Sequence, residues 1–121
     1  MNTEFIAEAV RDVTARYGAD LVMTATESGR TLLRIQEVEL GPACQPSSTS
    51  MLLVLDPAQP KPVPFVRPGQ LLANGKVPRS TSITMVGSEP WMQFSFNIPW
   101  EERHGMVRFI AAARQRFAQN E

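Results

Sequence analysis

Five prolines, Pro57, Pro60, Pro62, Pro64 and Pro68, crowd the stretch that follows the apolar run Met51–Leu55. An unbroken apolar run that short, closed by Asp56-Pro57, reads as a strand buried on both faces. Each proline lacks an amide donor and holds φ near about −65°, so the segment after it is expected to join neither a helix nor a central ladder. The expected path is an extended crossover over the surface, with Val63, Phe65 and Val66 packing beneath it.

The 121 residues suit one domain spanning 1–121, with enough chain to bury a core. Lys+Arg and Asp+Glu both number 12, a formal net charge of +0. Phosphate binding needs a basic excess or a basic face, so nucleic acid is not the expected partner. Arg103, Arg108, Arg114 and Arg116 interleave with apolar positions and read as a solvated helix face. No apolar run approaches the roughly 18–20 residues of a membrane span, and the acidic start at Glu4 and Glu8 is not a signal peptide. One cysteine and one histidine are too few soft ligands for a zinc site, and Asp12, Asp20 and Asp56 lack ligand spacing. A cytoplasmic protein without metal or cofactor is expected.

Residues 3–17 read as an amphipathic helix with Thr3 as N-cap, Gly18 as stop, and Phe5, Ile6, Ala9, Val10, Val13 and Tyr17 as its apolar stripe. Residues 21–26 and 31–40 flank Glu27-Ser28-Gly29-Arg30, a hairpin signal. With the run at Met51 they predict an antiparallel meander, joined by the polar loop Gly41–Ser50. Residues 70–80 read as a loop of functional length. Thr81–Val86 reads as a strand and Gly87–Pro90 as a turn. Trp91–Ile98 then alternates, with Met92, Phe94, Phe96 and Ile98 on one face and Trp91, Gln93, Ser95 and Asn97 on the other. Pro99 ends that strand. Trp100-Glu101-Glu102 is expected to open a final helix with Met106, Phe109, Ile110, Ala113 and Phe117 inward. The fold class is α+β: N-terminal helix, antiparallel meander, proline-rich crossover, a further β segment and a C-terminal helix.

Among single residues, Cys44 lies in a loop with no cation beside it and reads as a small half-buried residue rather than a nucleophile. His104 has no reactive partner named by the sequence and reads as a surface residue. Trp91, on the face opposite Met92 and Phe94, is a candidate docking residue if that face is open, as are Phe65 and Trp100.

Several motifs resemble the ubiquitin-conjugating (UBC) fold family. Leu40-Gly41-Pro42 is similar to the family's glycine-proline turn between its second and third strands. Leu53-Val54-Leu55-Asp56-Pro57, followed by Pro60, Pro62, Val63, Pro64 and Phe65, resembles its third strand, proline crossover and fourth strand. Trp100 resembles a tryptophan that follows the active-site segment in bacterial relatives. The resemblance places a nucleophilic cysteine within Leu71–Met92, where this chain has none, and the histidine-proline-asparagine element is missing, although Asn74 falls in the region. A serine or threonine hydroxyl is a far weaker nucleophile for thioester exchange than a thiolate.

The resemblance therefore implies a non-catalytic adaptor. It would bind a ubiquitin-like protein, or its activating or conjugating enzyme, as a hetero-oligomer in a bacterial, anti-phage conjugation pathway. Two alternatives stand beside it. One is a small secretion-type chaperone or other protein-binding module. The other is a conjugating enzyme whose nucleophile is Cys44, or was a cysteine replaced at Ser80, Ser82 or Ser88.

Overall fold

A computed structural model describes residues 1–79, 81–94 and 98–119. The elements run α1 (Thr3–Tyr17), β1 (Val22–Glu27), β2 (Arg30–Glu39), β3 (Ser48–Leu55), β4 (Val63–Val66), β5 (Ser82–Val86) and β6 (Glu89–Gln93). A 3-10 turn at Glu102–His104 then leads into α2 (Met106–Ala118). The strands form a six-stranded sheet in the order β1-β2-β3-β4-β6-β5, with every adjacent pair antiparallel. The α+β class and the helix at each end agree with the sequence reading.

Both helices carry the predicted apolar stripes, and α1 has the expected bounds; its cap and the start of α2 differ. Asn2, not Thr3, caps α1: its Oδ1 accepts the Glu4 amide at 2.7 Å from an extended backbone. Gly18 ends the helix at φ 98, and its amide reaches the Thr14 carbonyl. Trp100-Glu101-Glu102 does not open α2. Gly105, at φ 80, holds a conformation outside the helical region, so Glu101 and Glu102 stand at the start of the 3-10 turn and α2 begins at Met106. The inner stripe Met106, Phe109, Ile110, Ala113 and Phe117 is buried as expected.

Two hairpins share one turn chemistry. Ser28 and Gly29 have φ of 53° and 79°, and Gly87 and Ser88 have 57° and 74°. Paired positive φ values make two-residue turns whose twist matches the flanking strands. The expected turn over Gly87–Pro90 thus contracts to two residues, and Glu89 and Pro90 enter β6 opposite Val86 and Met85. The predicted alternation at Phe96, Ser95 and Asn97 lies outside the described residues.

The proline segment follows the expected path only in part. Residues 56–62 form turns and bends. Val63–Val66, however, is a central strand, with Met51 opposite Val66 and Val54 opposite Val63 on one side and β6 on the other. The physical reason lies in the ladder between β4 and β6. Among the described residues that ladder covers Phe65 and Val66, and Pro62 and Pro64 lie beyond those pairs. A proline is tolerated where no neighbouring strand asks for its amide. Pro90, at the start of β6, lies beyond the same ladder at its opposite end.

β3 divides two cores. Met51, Leu53 and Leu55 face the helices, and Leu52 and Val54 face the other side, all at most 4% exposed. Full burial of such side chains contributes about 1.5–3 kcal/mol each, which makes β3 the most heavily packed strand. The second core consists of strand residues: Leu32, Leu52, Val54, Phe65, Val86 and Trp91, with Val63 against them. Met23 on β1 and Val86 on β5 come from opposite edges of the sheet, yet both line one hollow of about 180 Å³. A flat sheet of this order keeps its edges far apart, so the sheet is strongly curled, with the second core on the concave side.

Candidate functional site

The only thiol is sealed in. Cys44 is 2% exposed, and its Sγ lies 3.8 Å from the carbonyl oxygens of Leu40 and Phe117. Burial pushes its pKa up, because the thiolate would have to form away from water. Two carbonyl acceptors suit S–H and repel S⁻. A thiol in this state is a poor nucleophile at neutral pH, and the burial goes beyond the half-buried loop position expected for it.

Two residues proposed for docking turn out to be engaged internally. Trp91 is 2% exposed. The guanidinium carbon of Arg67 lies 4.4 Å from its ring centroid and that of Arg34 lies 5.4 Å away. Both arginines also reach Glu89 Oε2, at 3.2 and 3.1 Å. The face that was to expose Trp91 is therefore closed over it by cations, which one carboxylate holds in place. Phe65 is 5% exposed within the same concave core. The inward side of a central strand, rather than a surface crossover, accounts for that correction.

Trp100 belongs to the helical layer. Its ring packs edge-on against Phe5 and Phe109 at 5.5 and 5.4 Å, and its Nε1–H donates to the Pro60 carbonyl at 2.9 Å. It remains partly accessible, but its geometry is that of a pin holding the proline loop to α1 and α2.

The stretch that leads from β4 into the last hairpin is where the resemblance would put an active-site segment. Asn74 there accepts the Lys76 amide through Oδ1 at 3.0 Å, a local turn bond. Gln70 anchors the loop from inside: its Nε2 donates to the Pro46 and Leu71 carbonyls at 2.9 and 3.0 Å. Among the described residues its Oε1 is buried without a partner. Ser82 starts β5 and Ser88 sits in the hairpin turn; Ser80 lies outside the described residues. His104 is exposed, with Nε2 3.7 Å from Glu101 Oε2.

No family model, curated protein or solved structure matches this chain.

Among the described residues no three metal-ligating side chains gather in one place, and no helix is long and apolar enough to cross a membrane. The surface instead offers large exposed apolar groups, two of them on the edge strand β5. Val77 is 61% exposed, Ile83 58% and Met85 64%. Ile83 and Met85 are two apart on an edge strand and therefore share a face. Large apolar side chains held in water on an unpaired edge are a common mark of a protein-binding surface. Arg34, Arg67 and Glu89 were missed by sequence reasoning, since charges on strands normally read as solvent-facing. The only signal was Arg34 breaking the apolar run Leu32–Ile35.

Proposed function

We propose that this chain is a non-catalytic binding domain. It acts as an adaptor resembling ubiquitin-conjugating enzymes without their nucleophile, and it holds a ubiquitin-like protein or the activating or conjugating enzyme that carries it. The observation that carries this reading is the contrast between an enclosed thiol and an exposed apolar edge. Cys44 is buried with its pKa raised, whereas Ile83 and Met85 stand in water on β5, within the stretch where the resemblance places the family's active-site segment. Binding at such an edge needs a rigid sheet and a few apolar anchors, and β5 is held rigid by its five-pair ladder to β6.

Calorimetry tests this. The purified chain is titrated with any ubiquitin-like, activating or conjugating protein encoded beside it. Binding to one of them is expected, together with loss of at least about tenfold in affinity for Met85→Lys, which is the usual cost of losing an interface anchor. Absence of binding to all of them ends the adaptor reading. A thioester adduct that forms on the wild type and disappears in Cys44→Ser would replace it with an enzyme.

A further inference from the structure

The opposite edge of the sheet carries a separate message. From Val22 to Thr26, β1 holds no charge, no proline and no bulge, and Met23 to Thr26 are all exposed. Edge strands are normally blunted by one of those devices. A hollow also lies on each side of β1. One, about 600 Å³, lies between β1 and α1 and includes Ala7, Val10, Thr24 and Thr26 in its lining. The other is the 180 Å³ concave hollow, which includes Met23, Ala25 and Leu32. A ligand meeting both hollows and the unpaired backbone between them must send side chains alternately to two faces, as an added β-strand does.

The alternation of the ladder shows which strand fits. In a two-residue turn of the Ser28-Gly29 type the closing pair, Glu27 and Arg30, exchanges hydrogen bonds. Glu27, Ala25 and Met23 then direct their backbone groups to β2, and Val22, Thr24 and Thr26 direct theirs outward. A second β1, antiparallel about a two-fold axis at Thr24, meets all of these together. Thr24 faces its own copy, and Val22 and Thr26 face each other twice, so all three outward residues find hydrogen-bonding partners. On the concave face Met23 of each copy comes opposite Ala25 of the other, large against small, beside the hollow. Met23 is 51% exposed in the isolated chain, and this is the position that covers it. The paired segments are uncharged, so the two-fold axis brings no like charges together.

We infer that the chain forms a two-fold homodimer by antiparallel pairing of β1 with β1 of a second copy, which joins two curled six-stranded sheets into one.

Light scattering and sedimentation of the full 13.4 kDa chain test this. The wild type is expected as a dimer in the micromolar range. Thr24→Pro removes an amide that only the second copy would use, and Met23→Lys changes an exposed side chain. Each is expected to weaken dimerisation about tenfold or more while leaving the circular dichroism unchanged. Ile83→Lys, on the other edge, should leave the dimer intact. In a Cys44→Ala background, Met23→Cys with Ala25→Cys should cross-link two chains on mild oxidation, since non-hydrogen-bonded neighbours lie within disulfide reach. A wild type that stays monomeric overturns the inference. So does a dimer that survives both β1 substitutions, or one that dissociates with Ile83→Lys instead.

Discussion

The central guanidinium carbon of Arg67 lies over Trp91, 4.4 Å from the ring centroid, while Glu89 holds the same group at 3.2 Å. Arg34 makes the matching approach from β2. Together they join β2, the end of β4 and β6 across a concave face whose described core residues all come from strands. A cation over an indole keeps part of its attraction when partly withdrawn from water, and the shared acid sets its position.

Glu89→Gln should loosen that arrangement without emptying the core. Glu89 is 43% exposed on its side chain, so solvent screens the pairing and the expected loss is only about 1 kcal/mol. The loss should shrink in high salt as surface charges are screened. Urea denaturation at low and high ionic strength checks this, and a loss equal in both would rule out an electrostatic origin. Trp91→Ala, by contrast, empties a buried volume and should cost about 3–5 kcal/mol at any salt concentration.

Trp100→Phe should separate packing from hydrogen bonding at the proline loop. The ring contacts with Phe5 and Phe109 survive, and only the Nε1–H bond to Pro60 is lost. The expected cost is about 1 kcal/mol, accompanied by faster proteolysis or amide exchange within residues 56–62. Unchanged exchange in that loop would show that the bond does not hold it.

Cys44 should react slowly with a disulfide thiol reagent in native protein and quickly once urea unfolds it, because the side chain is 2% exposed. Its pKa also sets a pH dependence. Burial raises the folded value above that of the unfolded chain, so the native state keeps its proton in an alkaline window where the unfolded chain has released it. The contribution is whole below the unfolded pKa and declines as pH rises toward the folded one. Stability measured across that window should fall in the wild type and fall less in Cys44→Ala. Parallel curves would show that Cys44 is not the group responsible.

Local patterns announced most of the elements because local rules control them. The stripes of α1 and α2 repeat at helical spacing, Ser28-Gly29 demanded a tight turn, and Met51–Leu55 had no polar side to show to water. The bounds of α1 were legible, but its cap was placed one residue late, at Thr3 instead of Asn2, and the start of α2 was placed too early because the backbone at Gly105 overruled the acids before it.

By itself, then, the sequence determined the α+β class, the helical stripes and the burial of β3 on both faces, since propensity, period and hydrophobicity are written residue by residue. The tertiary structure alone decided three further things: that Val63–Val66 lies inside the sheet, that Phe65 and Trp91 are core residues, and that Cys44 is enclosed. Each depends on partners far away in the chain. A proline is allowed or forbidden by where the neighbouring strands pair, and a tryptophan is exposed or covered by arginines 57 and 24 residues before it. Such distances in space follow from the curl of the sheet, which no stretch of residues encodes alone.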